Sequence, residues 1–180
     1  MSELAPRWMA TRDGRVTLMF TDIVGSTERL CAWGEERWLD ALHTHNALVR
    51  EAVRVHAGAE VKFLGDGWMV AFADPLDALG CAAEIRRALG ARTTDAFTVR
   101  IGIHTGHAVK EGADFLGRDV IVASRLVRAA RPGEILVSSV VRLAAGAREC
   151  AYRFGTGRPL ELKGLGPHLG FSVIPGPVSR

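Results

Sequence analysis

The chain has 180 residues, 48% of them hydrophobic and 24% charged, which is enough for one soluble domain with a full core. Its net charge is only +3, and its arginines are scattered rather than clustered, so composition gives no case for a nucleic-acid-binding face. No apolar run approaches the ~20 residues of a membrane span, residues 1–15 lack the apolar core of a secretory signal, and Cys31, Cys81 and Cys150 show no CxxC spacing. The cysteines are therefore expected as buried, reduced thiols in a cytoplasmic protein.

Residues 1–14 show no periodicity and read as a lead-in. Arg15 to Phe20, RVTLMF, is β-branched and apolar and predicts a strand. It runs into Thr21-Asp22-Ile23-Val24-Gly25-Ser26-Thr27, where Gly25 permits a sharp turn and Ser26 or Thr27 can cap the next helix. Backbone N–H groups from Ile23 to Thr27 would then converge at a helix N-terminus, a natural cradle for an oligophosphate. Asp22, at the strand's end, needs a cation between itself and any phosphate; alternatively it only caps the helix. Helices follow over Ser26–Trp33 and Glu35–His56, the second with apolar residues at helical spacing. His43, His45 and His56 have no convergent partners and read as surface or packing residues.

Ala59 to Ala73 predicts a β-hairpin around Gly65-Asp66-Gly67. Both arms look apolar enough for the middle of a sheet, yet they carry Lys62 and Asp66. Asp66 is either a simple turn former or a functional carboxylate. Asp74-Pro75 opens a helix to about Ala91. A loop over residues 92–96 leads to a strand over Phe97–Val109, in which Gly102 and Gly106 signal close backbone approach or a bend. Lys110–Gly117 reads as a loop holding Asp114. A helix over Arg118–Arg131, a strand at Ile135–Val137, a helix to about Ala145 and three short strands to Ile174 complete the chain, with Lys163 in the turn between the last two strands. The pattern predicts an α+β (α/β) fold with one mixed twisted sheet, helices mainly on one face and a small C-terminal run of strands. One domain spans residues 15–174, followed by a tail over 175–180.

Asp22 and Asp66 each sit where an apolar strand meets a turn. Paired acids at neighbouring strand ends suit two divalent cations in phosphoryl transfer. Four stretches in order, FTDIVGST from Phe20, KFLGDG from Lys62, RIGIHTG from Arg100 and ASRL from Ala123, resemble the catalytic core of the class III nucleotidyl cyclases. The likeness covers nearly the whole chain. It implies a ferredoxin-like palm acting as a head-to-tail homodimer, with active sites shared between subunits.

The resemblance also implies roles. Asp22, Asp66 and the Ile23 carbonyl would hold two Mg²⁺ or Mn²⁺ ions. Lys62 and Asp114 match the pair that reads the purine, and their polarity suits adenine, hence ATP. Arg125 matches the arginine that steadies the α-phosphate in the transition state, and Lys163 a lysine near the β- and γ-phosphates. Asp22 and Asp66 would then serve one site of the dimer, and Lys62, Asp114 and Arg125 the other. One position departs from the pattern: Ile121 stands where most members carry Asn, four residues before the arginine. The expected activity is that of an adenylate cyclase. A weak or non-catalytic nucleotide-binding module and a cyclase accepting GTP are the alternatives. A diguanylate cyclase is disfavoured, because no Gly-Gly-Asp/Glu-Glu-Phe turn is present.

Overall fold

The computed structural model describes residues 14–94, 97–146 and 152–175. Cys150, most of the lead-in, part of the 92–96 loop and the C-terminal tail lie outside the described residues. The elements run β1 (Arg15–Ile23), α1 (Ser26–Trp33), α2 (Glu35–Val55), β2 (Ala59–Phe63), β3 (Trp68–Phe72), α3 (Pro75–Gly90), β4 (Val99–His107), β5 (Val109–Glu111) and β6 (Asp114–Leu116). They continue with α4 (Arg118–Ala129), β7 (Ile135–Ser138), α5 (Ser139–Gly146), β8 (Tyr152–Phe154), β9 (Arg158–Leu162) and β10 (Gly166–Pro175).

The main sheet has the order β2-β3-β1-β4-β7-β10-β8, with β9 paired to β10. Only β4 and β7 run parallel among its pairs. The segment β4-β1-β3-β2, with α2 and α3 as crossovers, is the ferredoxin-like arrangement that the sequence led us to expect.

Alternation along the strands sorts the core into two faces. Met19, Ile23, Val70, Phe72, Ile101 and Ile103 point to the face covered by α2, α3 and α5, with Leu30 and Trp33 of α1 packed against it. Val16, Leu18, Phe20, Met69 and Ala71 point to the other, where Ala123 and Val127 of α4 meet them. Four helices on one face and α4 alone on the other agree with helices lying mainly on one side.

Three local expectations need correction. The hairpin is not central: β3 is buried throughout, but β2 is the sheet's edge, with Glu60 and Lys62 exposed. Charged side chains on an edge strand discourage pairing with another sheet, and Phe63 keeps its apolar surface by leaning on Trp68, with ring centroids 4.9 Å apart. The 110–117 loop is instead a small hairpin, β5–β6. Cys81 is buried, which pushes its thiol up to about 12, but Cys31 is exposed. Among the described residues no helix is long and apolar enough to cross a membrane.

Buried His45 and half-buried Glu134 contribute to the pH dependence of stability. His45 of α2 is buried edge-on to Phe97, with neither ring nitrogen hydrogen-bonded among the described residues, and burial lowers its pKa to about 4. Burial alone would raise Glu134, but the Arg158 guanidinium, the Arg131 N–H and the Ser172 hydroxyl outweigh that and bring it down to about 2. For both groups the unfolded chain binds the proton more readily. The His45 contribution is therefore complete above pH 6.5 and lost as pH falls through about 4. The Glu134 contribution is complete above pH 4.5 and lost as pH falls through about 2. Urea melts are expected to show stability falling in two stages on acidification. The first stage costs on the order of 3 kcal/mol. His45→Phe should shrink that first stage, leaving the part that His104, also held low by burial, contributes, and should leave the second unchanged; a first stage of undiminished size would remove His45 from it.

Candidate active site

The site is built at one end of the sheet. Across β1 and β4, Asp22 lies opposite Arg100 and Ile23 opposite Val99. On the other side of β1, the β2–β3 turn is stitched to the strand end. The Ile23 N–H donates to the Asp66 carbonyl at 3.0 Å, and the Trp68 N–H donates to Thr21 Oγ1 at 3.0 Å. Gly67 permits this: a Cβ there would stand 1.9 Å from the Thr21 carbonyl oxygen. The two acids expected on neighbouring strand ends are thus brought to the same corner by backbone geometry.

Their carboxylates are already engaged. The Ser26 hydroxyl donates to Asp66 Oδ2 at 2.7 Å. Arg100 Nε donates to Asp22 Oδ2 at 2.9 Å, and its second nitrogen contacts the same oxygen. Arg100 was not singled out from the sequence as a site residue. The signal was available in the register, since an arginine at the start of β4 faces an acid at the end of β1.

The expected amide cradle is smaller than the sequence suggested. Ile23 N–H is committed to Asp66, and Val24 N–H donates to the Thr98 carbonyl at 2.8 Å. Gly25, with φ +68°, turns the chain into α1 as its N-cap, and neither Ser26, Thr27 nor Asp22 caps the helix with its side chain. Among the described residues, the amides of the expected cradle that have no hydrogen-bond partner are those of Gly25, Ser26 and Thr27. Glu28 Oε2 rests 3.5 Å from where a Cβ on Gly25 would be, a screen that an anion would have to displace.

A second group of predicted residues gathers on α4's side of the sheet. Lys62 Nζ lies 2.5 Å from Asp114 Oδ2 and so ties the edge strand β2 to β6. The Phe115 N–H donates to Asp114 Oδ1 at 2.8 Å. The Lys62 ammonium holds the Asp114 carboxyl below the usual carboxylate range. Arg125 on α4 is half-buried, and among the described residues its Nε has no hydrogen-bond partner. Ile121, one helical turn earlier, is 47% exposed. Lys163 is exposed in the β9–β10 turn, which the Leu165 N–H closes onto the Leu162 carbonyl at 2.8 Å. Among the described residues, no hydrogen bond or ion pair joins Lys62, Asp114, Arg125 or Lys163 to either Asp22 or Asp66.

Asp22, Asp66 and the Ile23 carbonyl are the groups at this corner that could hold a divalent ion. No third His, Cys, Asp or Glu joins the two aspartates among the described residues. Two carboxylates and a carbonyl form an incomplete set of hard oxygen ligands, which suits Mg²⁺ or Mn²⁺ sharing its remaining positions with water and phosphate oxygens.

The family model for the adenylate and guanylate cyclase catalytic domain matches residues 9–174. An adenylate cyclase of Lachancea kluyveri is 32% identical over 73% of this chain, which spans 9% of that protein's length. A receptor-type adenylate cyclase of Trypanosoma brucei brucei is 29% identical over 78% of this chain, which spans 15% of its length. Among solved structures, an adenylate cyclase of Trypanosoma brucei in its monomeric state superposes with a TM-score of 0.81 at 23% identity, covering 93% of this chain and 91% of that one. The guanylate cyclase domain of RhGC from Catenaria anguillulae, in complex with GTP, gives 0.78 at 17% identity, covering 91% and 98%.

Proposed function

Because the chain belongs to the family of adenylate and guanylate cyclase catalytic domains, we propose that it converts ATP to 3′,5′-cyclic AMP and pyrophosphate, at sites completed by a second copy of itself. The observation that carries the choice of ATP is the Lys62–Asp114 pair, an ammonium donor and a carboxylate acceptor at 2.5 Å on the same wall. Adenine offers a ring nitrogen to accept from Lys62 and an exocyclic amine to donate to Asp114. Guanine offers a carbonyl where that amine would be, and the carboxylate would be left facing an acceptor.

Asp22, Asp66 and the Ile23 carbonyl are the groups to hold the metal ions. Bound there, divalent cations supply acidification of the ribose 3′-hydroxyl and neutralisation of the leaving pyrophosphate. The protein's own groups do the rest. The free amides of Gly25, Ser26 and Thr27 receive phosphate oxygens at the positive end of α1. Arg100, which bonds Asp22 here, would turn its guanidinium towards the triphosphate once Asp22 serves as a metal ligand. Lys163 of the β9–β10 turn meets the β- and γ-phosphates. Arg125 balances the charge that builds on the α-phosphoryl oxygens as the 3′-oxygen attacks in line. Among the described residues no hydrogen bond or ion pair joins the two sets of groups within one protomer, which supports their meeting across a homodimer.

A second reading rests on Ile121: an aliphatic side chain cannot hydrogen-bond the ribose, so a nucleotide-binding module without turnover is the competing function. Assays with ATP, GTP and Mn²⁺ separate the two. Wild type is expected to favour ATP, and Lys62→Glu to reduce the ATP/GTP ratio of kcat/KM by roughly 10- to 100-fold. An unchanged ratio would remove Lys62 from base recognition, and no cyclic product from either nucleotide would favour the binding module.

A further inference from the structure

The helix that carries Arg125 is held against the sheet by a device outside both clusters. Gly102, His104 and Gly106 share the face of β4 that looks at α4. A Cβ on Gly102 would stand 2.3 Å from the Val127 nitrogen, and one on Gly106 would stand 2.0 Å from Asp119 Oδ2. The spacing is matched: eight helical residues from Asp119 to Val127 rise about 12 Å, and four strand residues from Gly102 to Gly106 rise about 13 Å. The helix therefore lies antiparallel along the strand with a glycine beneath each end.

Asp119 latches the N-terminal end. Its Oδ2 accepts the His107 N–H at 2.7 Å, and its Oδ1 lies 3.3 Å from His104 Nε2. His104 is only 8% exposed, and its Nδ1 meets the Ser138 hydroxyl of β7 at 2.8 Å. With the ring proton placed on Nε2, towards the carboxylate, Ser138 donates to Nδ1; the Nε2 contact with Asp119 is an electrostatic one, not an aligned hydrogen bond. Arg125 sits between the two anchor points, and among the described residues its Nε has no hydrogen-bond partner. The placement of its guanidinium is thus inherited from the seat of the helix.

We propose that Asp119 is a positioning residue: it locks α4 into the Gly102–Gly106 groove and thereby sets where Arg125 meets the α-phosphate. The effect on turnover rests on the cyclase reading above; the lock itself does not. Asp119→Ala is expected to lower kcat by roughly 10- to 30-fold with KM changed by less than about twofold, since Arg125 acts in the transition state. Asp119→Asn can still accept from His107 and pair with the other His104 tautomer, so it should recover most of that loss. Gly106→Ala should reproduce the defect with the carboxylate intact, because the new methyl displaces it. The Gly106→Ala/Asp119→Ala double variant should be no worse than the poorer single, since removing the carboxylate removes the clash.

Hydrogen exchange reads the lock without turnover. Amides of α4 should exchange at least about 10-fold faster in both single variants than in wild type. An Asp119→Ala kcat equal to wild type, a loss not recovered by Asp119→Asn, or losses that multiply in the double variant would overturn the proposal. Should wild type make no cyclic product, the cyclase reading falls, and α4 exchange alone decides the lock: unchanged exchange in both variants overturns it.

Discussion

Asp22→Ala is expected to lower cyclic AMP formation by about 10³-fold, and Arg125→Ala by about 10²- to 10³-fold. Mixing the two dead proteins should nevertheless restore activity to about a quarter of wild type, the share of intact sites when subunits pair at random. The reasoning is geometric. Asp22 belongs to the corner formed by β1, β4 and the β2–β3 turn, whereas Arg125 lies on α4 and, among the described residues, makes no ionic or hydrogen-bonded contact with that corner. Each hybrid dimer would hold one site with both groups present and one with neither. The measurement is cyclic AMP production by mixtures of differently tagged variants, with hybrid formation checked by co-purification. Mixtures as inactive as their parents, despite hybrids being present, would place all the groups in one protomer's site. Mixing Asp22→Ala with Asp66→Ala is the matching control: both acids serve the same site, so no recovery is expected.

The parts of the site legible in the sequence were those where one local pattern forces one geometry. The run from an apolar strand through Asp22 to Gly25 announced a strand, an acid and a helix N-terminus, and Gly25 turns there with φ +68° as its N-cap. Gly102 and Gly106 announced close approach, and α4 is what approaches. Less legible was anything that depends on which strands are neighbours. Val61, Phe63 and Leu64 made β2 look interior, but edge and centre differ in partners rather than composition, and β2 takes the edge. Arg100 lies 78 residues from Asp22, and their pairing follows only once β4 is registered against β1. Asp119, His104 and Ser138 come from three elements and carry no shared motif. The small β5–β6 hairpin was hidden for another reason: its strands of three residues are too short to show a period. Lys62 and Asp114 were paired by family resemblance alone, 52 residues apart, and the fold brings them into contact.

Ile121→Asn is expected to raise kcat by roughly 10²-fold, the scale of one positioning contact on the attacking group. Ile121 lies one turn before Arg125 on the same side of α4, and its side chain is 47% exposed, an unusual state for an isoleucine on a helix whose Val122, Ala123, Leu126 and Val127 are all buried. The Ile121 N–H donates to the Gly117 carbonyl at 3.4 Å, so the backbone there is ordinary helix and accepts asparagine without rearrangement. Removing an exposed aliphatic group costs little core packing, so stability should change by less than about 0.5 kcal/mol. A gain in kcat without a matching fall in KM would mean that the new amide acts on the ribose hydroxyl as it attacks, rather than on binding. No gain at saturating ATP and Mn²⁺ would mean that another group already orients the 3′-oxygen, and that Ile121 is tolerated because its position no longer touches the substrate. A gain with GTP but not ATP would instead reverse the assignment of the Lys62–Asp114 wall, since the ribose is common to both nucleotides and only the base decides which of them is held in place to react.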